Sequence, residues 1–334
     1  MKILIVSGFL GAGKTTFIKE MAAKTGRDFV IMENEYGEAG IDSALLKQEK
    51  NINVWELTEG CVCCTMKADF ASSVLTIANT LDPEYLIVEP TGVGMLSSII
   101  QNIRQISYER ILLLKPVTIV DADSFDFSRR MYGEILTDQI RAAGTVVISK
   151  RSFSSVSEAS GLLDYIRKIN PGACIQYEHY SRQDSSWWES LLKTRLDGTR
   201  IDSPALAEPE LDTLSLQNPS LPSANHLIFF LEDLIRGEFG CICRAKGLIQ
   251  TEKGLLRFDA VNDRYSITGC EQKESPGATF IGRDLKRNRL RRLLLSSIYT
   301  SSKISGRKTI QNSSRKLPGF VTAPKNIRKA EEAL

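Results

Sequence analysis

Three groups of residues in this sequence could do chemistry. The first is Gly8-Phe9-Leu10-Gly11-Ala12-Gly13-Lys14-Thr15, which fits the pattern G-x-x-x-x-G-K-[ST]. It directly follows the apolar run Ile3–Val6 and precedes helix-compatible sequence from Thr16 to Ala23. A buried strand feeding a tight loop, closed by a helix N-terminus, turns backbone N–H groups inward on an anion. Gly8, Gly11 and Gly13 let the chain adopt positive φ and come close to phosphates, with Ala12 between them and Thr16 continuing the cradle. Lys14 can reach β- and γ-phosphate oxygens, and Thr15 can ligate Mg²⁺.

Such a loop needs a Mg²⁺ partner and a γ-phosphate sensor at the end of another strand. The run Tyr85–Val88 enters Glu89-Pro90-Thr91-Gly92, an acidic residue followed three positions later by glycine. Glu89 can hold Mg²⁺ through water or orient an attacking water, and the Gly92 N–H can read the γ-phosphate. These residues, with Lys14, are the candidate catalytic set. A third strand candidate, Val146–Ile148, enters Ser149-Lys150-Arg151-Ser152, where many GTPases carry N-K-x-D. Lys150 is present to lie against a base, but Ser152 has no carboxylate for guanine. That loss costs roughly 1.5–3 kcal/mol of guanine preference. GTP follows from the architecture rather than from this motif, and ATP stays open.

The second group is Gly60-Cys61-Val62-Cys63-Cys64-Thr65. Three thiols in four positions can give one ion three soft ligands, since a divalent cation favours the thiolate near neutral pH. Such a set suits Zn²⁺ or Cu⁺, and Co²⁺ enters the same tetrahedral geometry. Glu35 and Glu38, in the acidic loop Glu33–Glu38, are candidates for the fourth ligand, as is water. The bland alternative is cysteine as a small buried hydrophobe. The third group, Cys241 and Cys243 with Cys270, reads as packing on an apolar strand; His179 and His226 are isolated. Trp187-Trp188 reads as core or a domain contact.

The elements that must position these groups are short apolar strands alternating with helical stretches. The strand candidates are Ile3–Val6, Phe29–Met32, Asn53–Leu57, Tyr85–Val88, Val117–Val120 and Val146–Ile148. Continuous apolar strands predict a mainly parallel sheet buried on both faces by helices. The expected organisation is a nucleotide-binding domain over 1–196, a proline-rich linker over 197–225 and a small α+β domain over 226–298. A basic, flexible tail is expected over 299–334. In the smaller domain Leu227–Ile235 reads as a helix and Leu285–Leu295 as a basic amphipathic helix. Four strands are expected between them, over Cys241–Gln250, Leu255–Val261, Tyr265–Gly269 and Ala278–Ile281.

Composition narrows the class of function. Hydrophobic residues are 42% and charged residues 25% of the 334, enough to bury a sizeable core. The net charge of +3 is uneven: Ser301–Leu334 holds eight Lys/Arg against two Glu, so the remainder is net acidic. That body offers no basic surface of the nucleic-acid-binding kind. No apolar stretch reaches membrane-spanning length. Seven cysteines, an odd number with three clustered, suit a reducing compartment, and the expected location is cytoplasmic.

Together these segments resemble the CobW-type nucleotidases, metal-chaperone relatives of the GTPases that insert nickel into urease and hydrogenase. The resemblance is carried by Gly8–Thr16, Glu33–Asp42, Gly60–Thr65, Glu89–Gly92 and Val120–Ala122. Arg244–Gly247 and Phe280–Arg283 carry it more weakly in the C-terminal part. It implies a SIMIBI-type P-loop fold of the α/β class, slow GTP hydrolysis, and a metal held by Cys61, Cys63 and Cys64. It also implies a client metalloenzyme or corrinoid-pathway protein. There are two departures: Ser152 stands where the family has its base-reading Asp, and the chain has two His where relatives have a histidine-rich stretch. The expectation is one tight thiol-rich site, gated by nucleotide. The rivals are a partner-activating NTPase with structural cysteines, a small-molecule kinase and a non-hydrolysing sensor. Pairing with a second copy of the chain stays open.

Overall fold

The structure is a computed structural model describing residues 1–33, 52–56, 67–106, 110–151, 160–196, 211–270 and 275–295. Cys61, Cys63, Cys64, Glu35, Glu38 and Ser152 lie outside the described residues, as do the 197–210 part of the expected linker and the whole expected tail. The chain divides into two compact units, Met1–Thr213 and Leu214–Leu334.

In the first unit, strands β1 (Lys2–Gly8), β2 (Phe29–Glu33), β3 (Ile52–Glu56), β4 (Tyr85–Glu89), β6 (Val117–Asp121), β7 (Thr145–Ser149) and β8 (Cys174–Gln176) pair in the order β3-β2-β4-β1-β6-β7-β8. Every registered pair is parallel. The helices are α1 (Lys14–Thr25), α2 (Lys67–Thr80), α3 (Leu96–Ile106), α4 (Phe125–Ala142), α5 (Ser160–Ile169) and α6 (Ser185–Leu191). The expectation of a parallel sheet between helices therefore holds. Strand β1 shows why its run Ile3–Val6 is apolar at every position. Ile3 and Ile5 pack with Val74, Ile99 and Ile103, whereas Leu4 and Val6 pack with Phe17, Ile18 and Met21. Alternate side chains enter opposite cores, so neither parity can be polar. Trp188 is fully buried in the second of these cores, its ring 4.9 Å from that of Phe17.

Two strands escape the apolar-run reading. β5 (Leu112–Leu113) is two residues long and pairs with β1 beside β6. Pro116, which has no N–H to give a ladder, lies between β5 and β6. β8 is three residues long and only partly buried, so it has no apolar signature.

The second unit holds a five-stranded sheet in the order β12-β11-β10-β13-β9. Its strands are β9 (Asp212–Gln217), β10 (Cys241–Thr251), β11 (Gly254–Val261), β12 (Arg264–Gly269) and β13 (Gly277–Arg283). Helices α7 (Ala224–Ile235) and α8 (Arg287–Leu294) press Leu227, Phe230, Leu290 and Leu294 into a core with Phe258 and Phe280. Part of the stretch expected as linker is thus strand. β9 turns Leu214 and Leu216 into the core and leaves Ser215 and Gln217 exposed, a short alternation flanked by Pro209 and Pro219. Helix α8 buries Leu290 and Leu294 and exposes Arg291 and Arg292, the solvated face of a basic amphipathic helix.

Candidate functional site

Parallel strands in register end together, and this sheet brings its chemistry to one edge. Glu33 of β2 lies opposite Glu56 of β3 on one side and Glu89 of β4 on the other. Asp121 of β6 lies opposite Ser149 of β7. The phosphate loop leaves β1 between these two halves of the sheet.

Each turn of the loop needs its glycine. Gly8 has φ 144°, and a Cβ there would sit 2.4 Å from the Ile119 carbonyl oxygen. Gly11 and Gly13 have φ 73° and 99°, conformations that side chains resist. Gly13 caps α1, so no side-chain oxygen takes the first helical N–H groups, and the first turn holds no acidic residue. That end of α1 keeps its donors and positive dipole for an anion. Ala12 is buried and its N–H bonds the Phe9 carbonyl, which closes the turn.

Three other contacts assemble around the loop. The Lys14 ammonium donates to the Gly8 carbonyl at 3.2 Å, folded over the loop it serves. The Thr15 hydroxyl donates to the Glu89 carboxylate at 3.1 Å. Gly92 lies so close to the loop that a Cβ there would meet the Leu10 nitrogen at 2.3 Å. The turn expected to sense the γ-phosphate is therefore in backbone contact with the phosphate loop. A hydroxyl and a carboxylate this close form a hard-oxygen pair of the kind that takes Mg²⁺ with phosphate oxygens, so the residues present fit that ion.

The end of β7 grips the loop from the other side. Lys150, at φ 46°, donates from its ammonium to the Gly11 carbonyl at 2.5 Å. The Ser149 hydroxyl donates to the Ala12 carbonyl at 2.7 Å. Ser149 stands where the N-K-x-D pattern has Asn, and its part in holding the loop carries no local sequence signal. Asp121 accepts the N–H groups of Asp123 and Ser124 and the Ser124 hydroxyl, tying down the start of α4. Burial pushes its carboxyl above the ordinary carboxylate range, opposed by the Lys150 charge and the Ser124 bonds.

The five expected transition-metal ligands, Cys61, Cys63, Cys64, Glu35 and Glu38, lie outside the described residues. Among the described residues no three His, Cys, Asp or Glu side chains gather as a metal site. Cys243 is buried and its thiol bonds the Ile281 carbonyl, in keeping with packing. No helix among the described residues is long and apolar enough to cross a membrane.

Comparison with known proteins gives concordant matches. The sequence model of the CobW/HypB/UreG nucleotide-binding domain matches residues 2–176. That of the cobalamin synthesis protein cobW C-terminal domain matches residues 212–298. The chain is 28% identical over 181 residues to the zinc chaperone YjiA of Escherichia coli, covering 52% of this chain and 56% of that protein. It is 29% identical over 182 residues to the zinc chaperone CobW of Pseudomonas aeruginosa, covering 45% and 48%. It is 25% identical over 215 residues to zinc-regulated GTPase metalloprotein activator 1 of Dictyostelium discoideum, covering 52% and 44%. The chain thus spans about half the length of the relatives it matches.

Proposed function

The chain belongs to the CobW/HypB/UreG nucleotide-binding family, and we propose that it is a GTP-hydrolysing metallochaperone that carries a transition metal on Cys61, Cys63 and Cys64. The observation that carries this reading is the Thr15–Glu89 pair at the edge where β2 and β3 also end. The chain leaves β2 two residues before Glu35 and leaves β3 five residues before Cys61. Both candidate metal segments therefore follow strands that end at the same edge of the sheet as β4.

In this reading Lys14 and the first N–H groups of α1 hold the phosphates, and the Lys150 stem lies against the base. Thr15 and Glu89 would hold Mg²⁺, which neutralises charge on the β- and γ-oxygens. The Gly92 N–H distinguishes triphosphate from diphosphate, and Glu89 orients the attacking water. Zinc is the cargo suggested by the names of the relatives; Co²⁺ suits the same thiolates. Glu35 and Glu38 are the candidates to complete the set. The receiver is a client metalloenzyme or corrinoid-pathway protein, met in the cytoplasm. If a bound γ-phosphate orders the metal segments, metal and nucleotide affinities must be coupled by the same factor in both directions.

The test is anaerobic purification with metal analysis, then calorimetric titration of Zn²⁺ or Co²⁺ with and without a non-hydrolysable GTP analogue, repeated with ATP analogues. The expected result is a shifted metal affinity that Cys63→Ala abolishes. Equal metal affinity in both conditions would sink the gating. Hydrolysis stimulated by a protein partner and indifferent to chelators would favour the partner-activating NTPase instead.

A further inference from the structure

Helix α4 carries two neighbouring buried polar residues, Asp138 and Gln139, outside every motif. The Gln139 amide nitrogen donates to the carbonyls of both Gly92 and Gly94, each at 3.2 Å. Both partners are pure acceptors, so the nitrogen rather than the oxygen must face them. Asp138 accepts the Ser97 backbone N–H at 3.1 Å and the Ser97 hydroxyl at 2.5 Å, at the start of α3. One turn of α4 thus holds both ends of the segment from Gly92 to Ser97. The helix is itself fastened to β6, because the Thr118 hydroxyl donates to the Gln139 carbonyl at 2.9 Å.

Gln139 is fully buried, yet its side-chain oxygen meets no donor among the described residues. A buried amide oxygen without a donor costs stability. Methionine or leucine would fill the same space without that cost. What neither supplies is a pair of N–H donors aimed at Gly92 and Gly94. Gly92 also lies close against the backbone of Phe9 and Leu10, which a Cβ there would meet. The same helix also touches the phosphate loop itself, where it departs from helical geometry at Tyr132 and sets that ring 5.0 Å from the ring of Phe9.

We infer that Gln139, braced by Asp138, is a positioning residue that fixes the γ-phosphate-sensing turn against the phosphate loop and so sets the preference for triphosphate over diphosphate. This rests on the nucleotide reading above. The amide fixes the Gly92–Val93 peptide before nucleotide arrives, and so limits the rotation open to the adjoining Thr91–Gly92 peptide, whose N–H then needs little reorganisation to read a γ-phosphate.

The test uses Gln139→Met in the full chain, which keeps side-chain length and removes both donors. Calorimetry with GDP and with a non-hydrolysable GTP analogue should show GDP affinity within about threefold of the parent. The analogue should weaken about tenfold, the scale of one or two lost hydrogen bonds. Equal weakening of both nucleotides, or of neither, overturns the inference. If the variant does not fold, hydrogen exchange on the parent protein decides. Amides from Gly94 to Ser97 should be protected without nucleotide, and exchange at exposed-loop rates overturns the inference. A parent protein that binds neither nucleotide overturns the nucleotide reading and this inference together. A parent that discriminates while Gln139→Met discriminates equally overturns this inference alone.

Discussion

The Thr15 hydroxyl reaches both oxygens of the Glu89 carboxylate, at 3.1 and 3.3 Å, across 74 residues of sequence. The two meet because β1 and β4 are parallel neighbours, with Ile5 opposite Val88, so their following turns leave the sheet side by side. Nothing in either motif alone sets that distance.

Glu89→Gln keeps the shape of this contact and removes its charge. Single-turnover phosphate release should slow on the order of 10²-fold, with GDP binding retained. An unchanged rate would remove Glu89 from the reaction.

Gly92→Ala should destabilise the protein by about 2–3 kcal/mol in urea unfolding, because its Cβ meets backbone that cannot yield. Gly161→Ala is the matched control. It lies in α5 with nothing within 4 Å of its would-be Cβ, and should stabilise by up to about 1 kcal/mol. Equal effects from the two substitutions would contradict the close approach of Gly92 to the phosphate loop.

Ser152→Asp should restore a carboxylate acceptor for guanine. Competition binding should then show GTP gaining on ATP by roughly ten- to a hundredfold. No gain would mean that this segment does not read the base.

Arg27 forms a two-pronged pair with Glu189, at 2.7 and 3.0 Å, joining the end of α1 to α6. The hydrogen bonds from Arg27 hold the Glu189 carboxyl below its ordinary value of 4.5, against a smaller opposing effect of burial. A carboxyl lowered by folding contributes stability above its unfolded value and loses it as pH falls through the folded one. Glu189→Gln should therefore cost about 1 kcal/mol near neutral pH, discounted for the partial exposure of both groups. The difference from the parent should vanish well below pH 4.5. A difference constant with pH would show that packing, not charge, is at stake.

The sequence discloses strands such as Ile3–Val6 and Val146–Ile148 because those runs are buried on both faces and therefore apolar at every position. It conceals β5 and β8, whose two and three residues are too few to form a pattern. β9 is hidden by prolines on both sides, although Leu214 and Leu216 alternate correctly. In the site, Lys14, Thr15 and the loop glycines are legible because their geometry is local. Ser149 and Gln139 are not, since a serine at a strand end and a glutamine inside a helix usually face water.

By itself, then, the amino-acid order determined the phosphate loop, the acidic turn, the thiol cluster and a parallel sheet able to carry them. Those depend on backbone conformation and on the periodicity of burial, which act over a few residues. Only the tertiary structure decided that Glu89 meets Thr15, that Gly92 touches Leu10, and that Gln139 bonds the carbonyls of Gly92 and Gly94. These contacts depend on strand order and register, and a shift of one residue in either strand would turn the side chains to opposite faces.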